Sequence, residues 1–180
     1  MKREIFNPVL RETVVFTKTA IETAGTLSEL EISLQPGGGN PFHYHTTFTE
    51  TFTALEGELG LELKNNQKVI LKPGESYLVK IGEVHRFFNP GGQKITFRNV
   101  ISPGHTGFEN TLRIMFGLAQ DELYNDKAVP KNFIHLAVCG VMSDMRLPGL
   151  MSLTTPIVKL VAWYAKKKGI EQQLIDQYCV

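Results

Sequence analysis

Cysteine is scarce in this chain, and so is an excess of charge of either sign. Its 180 residues include only Cys139 and Cys179, too few for the disulfide lattice of a small secreted fold, so two free thiols in a reducing compartment are expected. Nineteen Lys and Arg stand against 18 Asp and Glu, and a net +1 gives no electrostatic reason to expect nucleic acid or an anionic membrane as partner. Long apolar runs are missing too. The uncharged stretch from Leu147 to Val158 is broken by Pro148, Gly149 and Pro156 and falls short of the ~20 apolar residues a bilayer span needs, so core packing is expected for it. Met1-Lys2-Arg3-Glu4 lacks the apolar stretch of a secretory signal, which leaves a cytoplasmic location as the default. No internal repeat or low-complexity tract is evident. The length suits one domain with a sizeable core, or a compact barrel with an appendage.

Histidine is sparse, yet three of the five sit in a pattern. One segment runs Gly37-x5-His43-x-His45-x4-Glu50-x6-Gly57, and a second runs Gly74-x5-Lys80-x-Gly82-x2-His85-x3-Asn89. In extended backbone, successive side chains point to opposite faces, so His43 and His45 project together while Tyr44 turns away. After a turn through Thr46-Thr47-Phe48, Glu50 opens the next strand with an oxygen ligand, and His85 arrives from a sequence-distant strand. Imidazoles with one carboxylate suit a single divalent transition metal, Fe, Mn, Ni, Zn or Cu, and leave positions free for substrate, water or dioxygen on a five- or six-coordinate ion.

At these residues the chain resembles the cupin superfamily, whose signature segments read G-x5-H-x-H-x3,4-E-x6-G and G-x5-P-x-G-x2-H-x3-N. Lys80 stands at the proline position of the second segment, which touches local turn geometry and not the ligand set. The resemblance covers roughly residues 37 to 89. It implies a mainly β chain, an antiparallel β-barrel of jelly-roll type, with the metal inside it on His43, His45, Glu50 and His85. It also implies a homodimer, as relatives commonly are, and allows dioxygenase, decarboxylase or isomerase chemistry.

Periodicity fills in the rest. Ser28, Leu30, Ile32 and Leu34 form one face of a strand from Leu27 to Leu34. Glu58 to Leu63 and Val69 to Leu71 read as a hairpin turned at Asn65-Asn66. Further strands are predicted near Glu12 to Phe16, Thr49 to Leu55, Glu75 to Val79, Val84 to Phe88 and Ile95 to Ile101. From about Ser102 the spacing becomes helical: Phe108, Leu112, Met115 and Ala119 form one stripe. A second helix is predicted from Lys131 into Met142. A third is capped by Thr155 and ended by Gly169 after Lys166-Lys167-Lys168, and a short last one holds Ile170, Leu174 and Tyr178. The expected division is a barrel over 1–104 and a helical C-terminal extension over 105–180, packed on the barrel or at a dimer interface.

Alternation sends Phe52 and Ala54 inward with Glu50, and Phe87 inward with His85, which makes these three the expected substrate-pocket wall or plain barrel core. Asn89 is expected to brace the turn after its strand, His105 to be a hydrogen-bonded loop or rim histidine, and His135 a packed core histidine. Two functions follow. One is a metal-dependent enzyme acting on a small organic molecule, with oxygenase-type chemistry favoured and Glu50 as the residue to carry a proton. The other is a non-catalytic binding or sensing module in which the ion is structural or holds a ligand.

Overall fold

In the computed structural model, which describes residues 2–179, strands give way to helices near Ser102. The strands are β1 (Glu4–Asn7), β2 (Glu12–Lys18), β3 (Ser28–Leu34), β4 (Thr49–Glu56), β5 (Leu59–Leu63), β6 (Lys68–Leu71), β7 (Ser76–Val79), β8 (His85–Phe88) and β9 (Ile95–Ser102). The helices are α1 (Thr106–Gln120), α2 (Phe133–Met142), α3 (Thr155–Lys167) and α4 (Ile170–Tyr178). All paired strands are antiparallel, in one sheet ordered β1-β2-β3-β9-β4-β7 and another ordered β6-β5-β8.

The two sheets enclose one apolar cluster because every second residue of their strands turns inward and most of these are apolar. In β3 these are Ser28, Leu30, Ile32 and Leu34, as the alternation predicts, and in β9 they are Ile95, Phe97, Asn99 and Ile101. The register sets Ile32 against Phe97 and Leu30 against Asn99. The β5–β6 hairpin turns through a 3-10 stretch, Lys64–Asn66, with Asn65 and Asn66 at φ 64° and 60°. Asparagine tolerates that left-handed backbone better than most residues. Strand β1 is absent from the sequence-based expectation; it pairs with β2 at the sheet edge.

Helix α1 lies between two cores. Phe116 belongs to the barrel cluster, with Phe108, Leu112 and Met115 packed on it. Ile114, Leu118 and Ala119 face a second cluster built with Val138, Cys139, Ala165 and Leu174. Polar bolts add to this. Glu109 is buried, and its Oε1 accepts 2.6 Å hydrogen bonds from the Ala20 amide and the Ser28 hydroxyl. One turn on, the buried Arg113 guanidinium sits 3.8 Å from the Phe16 ring centroid.

The tail departs from expectation in four places. Helix α2 begins at Phe133, since the Asn132 side chain accepts from the Ile134 amide at 2.8 Å and caps it there. His135 is half-buried, its Nε2 3.3 Å from Asn132 Nδ2, and is no core residue. Thr155 is the first residue of α3 and not its cap, because a 3-10 stretch, Gly149–Thr154, leads straight into the helix; Pro156 sits in the first turn, and Gly169 at φ 74° follows its end. Finally, the stretch from Leu147 to Val158 is not packed into a core: Leu150 is 86% exposed, Leu153 73% and Ile157 59%. Cys139 and Cys179 are both free and buried. No helix among the described residues is long and apolar enough to cross a membrane.

Candidate metal centre

The two-histidine segment is extended connection and not a full strand. His43 forms an isolated bridge with His85, their backbones exchanging N–H···O bonds of 3.0 and 2.9 Å, and Tyr44 forms another with Arg146. The alternation still holds, with His43 and His45 buried and Tyr44 half-exposed on the other side. Glu50 comes from β4, between Ile101 of β9 and Val79 of β7, while His85 comes from β8 in the smaller sheet. The four groups therefore meet between the two sheets. Gly82 holds this geometry: at φ 79° its amide donates to the His45 carbonyl at 2.8 Å, a backbone turn that favours glycine.

One ligand atom from each of His43, His45, Glu50 and His85 lies within 4.8 Å of all the others, and none of the four residues is more than 4% exposed. The rings are oriented from behind. His43 Nδ1 donates to the Pro41 carbonyl at 2.9 Å, His85 Nδ1 to the Glu83 carbonyl at 2.9 Å, and His45 Nδ1 to the Asp144 carbonyl at 3.2 Å. A carbonyl only accepts, so each Nδ1 carries a hydrogen and each Nε2 is turned to the interior as a potential ligand. There, His85 Nε2 lies 2.9 Å and His45 Nε2 3.3 Å from Glu50 Oε2, and His45 Nε2 is buried without a hydrogen-bond partner. Lone pairs of buried imidazoles gathered on a carboxylate need a positive charge among them, and a divalent cation supplies it. The residues fit the ion.

Protonation at His43 agrees with a ligand role. Burial, with the neighbouring His85 adding to it, pushes the His43 imidazole down to about 3, so the ring is neutral and a competent ligand. Burial works against the Glu50 carboxylate, but the influence of the neighbouring His45 and His85 imidazoles outweighs it and holds the group well below the usual carboxylate range. For His85 burial is likewise outweighed, here upward, by the Glu50 contact.

Three further residues belong to the site and escaped the sequence reading. Asn99, on the inward face of β9, donates from Nδ2 to Glu50 Oε1 at 2.8 Å and fixes the carboxylate. Its signal was present: one amide among Ile95, Phe97 and Ile101 on an apolar face. Phe48 stacks on His45 with centroids 4.3 Å apart and meets Phe108 of α1 edge-on at 5.7 Å. Asp144, at φ 51° in the loop after α2, reaches back to the ligand segment. Its carboxylate accepts from the Thr46 amide at 2.6 Å, the Thr46 hydroxyl at 2.9 Å and the Thr47 hydroxyl at 2.9 Å, with Arg146 Nε at 3.1 Å on its other side. No local pattern marks such a residue.

Of the expected wall residues, Phe52 lies against the ligands, its ring 6.0 Å from His85 between centroids. Phe87 stands behind it at 6.0 Å, and Ala54 is farther along β4, within the barrel cluster. Asn89 braces its turn through the Leu34 and Gln93 carbonyls and the Gly91 amide. His105 is the N-cap of α1, its Nδ1 accepting from the Phe108 amide at 2.9 Å, and its ring sits 5.0 Å from Phe48. Burial, the largest influence on it, lowers its pKa. A surface cleft of about 280 Å³ is lined by Phe42 and Val84, the residues before His43 and His85, and so lies on the far side of their backbones from the ligands.

Comparison with known proteins supports the same stretch. The Cupin domain family matches residues 30–101. A germin-like protein, subfamily T member 2, of Arabidopsis thaliana is 35% identical over 105 residues, 54% of this chain and 47% of that protein. The uncharacterized protein YdbB of Bacillus subtilis is 39% identical over 49 residues, 27% of this chain and 43% of that protein. The matches thus span under half the length of these curated relatives. Among solved structures, the polyketide cyclase RemF of Streptomyces resistomycificus is similar with a TM-score of 0.46 at 27% identity, over 51% of this chain and 64% of that one.

Proposed function

This chain belongs to the cupin superfamily, and from that premise we propose that it is a metal-dependent enzyme acting on a small organic molecule, with oxygenase-type chemistry. The observation that supports the metal is the orientation of three imidazoles by three backbone carbonyls toward one carboxylate. Fe, Mn, Ni, Zn and Cu all accept this donor set, and the ion would supply Lewis acidity or, for a redox-active metal, one-electron chemistry with dioxygen.

The protein's part is placement and exclusion of water. Phe48, Phe52 and Phe108 pack around the ligand rings and suit an apolar substrate body behind a polar, metal-binding end. Phe87 and Ala54 extend that wall into the barrel. None of these side chains, nor Asn99, is an acid or base, and Glu50 is the group left to carry a proton. Asn99 holds one Glu50 oxygen while the other faces the histidines, which keeps the first oxygen in place when the second exchanges a proton. A Glu50→Gln protein that retains both metal and full turnover excludes that role.

A second reading has its own support. With all four ligands buried and aromatic rings packed over them, the ion could be structural, in a barrel that binds or senses a small molecule. Oxygen consumption decides between the two. Metal-loaded protein is incubated with panels of small phenols, diketones and organic acids in an oxygen electrode. Uptake that disappears in His43→Ala supports the enzyme; no uptake with any redox-active metal and any substrate class favours the binding module.

A further inference from the structure

Helix α3 is built inside out. It packs on α2 and α4 through its small residues, Ala162 and Ala165, both buried, and turns its bulky ones, Ile157, Leu160, Trp163 and Tyr164, to the surface at helical spacing. The preceding 3-10 stretch continues the exposed apolar face with Leu150, Met151 and Leu153. Single exposed leucines are ordinary, but seven large apolar side chains within 15 residues form a patch of the kind that marks a contact surface.

Charge indicates what covers it. From Met145 to Ile170 the sequence has Arg146, Lys159, Lys166, Lys167 and Lys168 and no acidic residue, a local excess hidden in the near-neutral total. Lys159, Lys167 and Lys168 are exposed around the apolar face, and Lys166 meets Glu171, the first acid beyond it, at 3.4 Å. A second copy docking by the same face would bring lysines to lysines with no acid in the patch to answer them. Tryptophan, tyrosine and lysine around aliphatic side chains are instead the composition that settles at a bilayer interface, rings at headgroup depth and ammonium groups on the phosphates. We propose that the 150–168 face docks peripherally on an anionic lipid membrane, without spanning it.

The chain has a single tryptophan, Trp163, and it lies in the patch, 58% exposed, so the native protein carries its own reporter. The full chain is titrated with vesicles of phosphatidylglycerol mixed with phosphatidylcholine, and with phosphatidylcholine alone. Expected are a blue shift of Trp163 emission and co-sedimentation with the anionic vesicles only, weakened by salt. Lys166, Lys167 and Lys168 changed together to Gln should lower the apparent affinity roughly a hundredfold, about fivefold per lysine. Leu153→Glu should lower it by about tenfold or more. Both variants alter exposed residues, and unchanged circular dichroism confirms that they fold. Absence of binding, or equal binding to neutral vesicles, overturns the proposal. So does a concentration-dependent dimer that Leu153→Glu dissolves while vesicles leave Trp163 unmoved, which would assign the face to a second copy.

Discussion

The barrel and the tail treat apolar side chains in opposite ways. Between the sheets, Phe52, Phe97, Leu30 and Leu61 are wholly buried, and the polar groups admitted there are Glu50 and the three histidines, close enough together to hold one ion, with Asn99 bonded to Glu50. The outer layer of the tail leaves Leu150, Leu153 and Trp163 largely in water. The barrel buries its apolar cluster between its own two sheets, whereas the tail has one face seated on the barrel through α1 and another face open. The contrast teaches that the buried core and the candidate metal ligands share the first region, while the broad exposed apolar face belongs to the second. Besides the apolar face of α1, polar contacts join them: Glu109 bolting α1 to Ala20 and Ser28, and the loop at Asp144 reaching Thr46 and His45.

The sharpest break is at the metal. His85→Ala should remove it altogether: elemental analysis of untagged protein should find about one equivalent of a transition metal in the wild type and essentially none in the variant. Equal contents would end the metal assignment. Next comes packing. Phe52→Ala should cost about 3–5 kcal/mol of unfolding free energy by urea titration, against roughly 0.5 kcal/mol or less for Leu153→Ala in the open face. Similar costs would mean that Leu153 is covered in solution.

The seam between the regions should respond to pH. Glu12 of β2 is buried, and burial pushes its carboxyl up from an ordinary value of 4.5 to about 7. The folded chain then keeps a proton that the unfolded chain has released, so the stability this confers is full below pH 4.5 and is lost as pH rises through about 7. Wild type should lose up to about 3 kcal/mol across that window relative to Glu12→Gln, which cannot titrate. Parallel pH profiles would refute the shift. The smallest effect tests the tail's reach into the site: Asp144→Ala should weaken metal affinity by about 10- to 100-fold, read by competition with a chelator, while leaving the four ligands in place. Unchanged affinity would reduce the loop to packing.

What the sequence made legible was whatever is repeated at short range. Alternation at Ser28, Leu30, Ile32 and Leu34 assigned the buried face of β3 correctly, and the His43, His45, Glu50 and His85 spacing put all four groups into one cluster. Asn99 could have been read from the same alternation. Asp144 could not, because its partners lie 97 to 99 residues away and nothing local distinguishes it from any turn aspartate. The error at Leu147 to Val158 has a similar origin. Apolar composition reports that a segment avoids water and leaves open which surface shelters it; Ala162 and Ala165, not the larger residues of α3, turned out to face the bundle.

The hydrogen bonds joining Tyr44 to Arg146, 3.0 Å each way, lie on the same length of backbone that presents His43 and His45. Seating of that late loop and loading of the centre are therefore linked, and linkage runs equally in both directions. An ion gripping His45 should slow proteolytic nicking at the exposed 149–154 segment, and a nick there should quicken the ion's escape, so a protease and a chelator read the same equilibrium from its two ends.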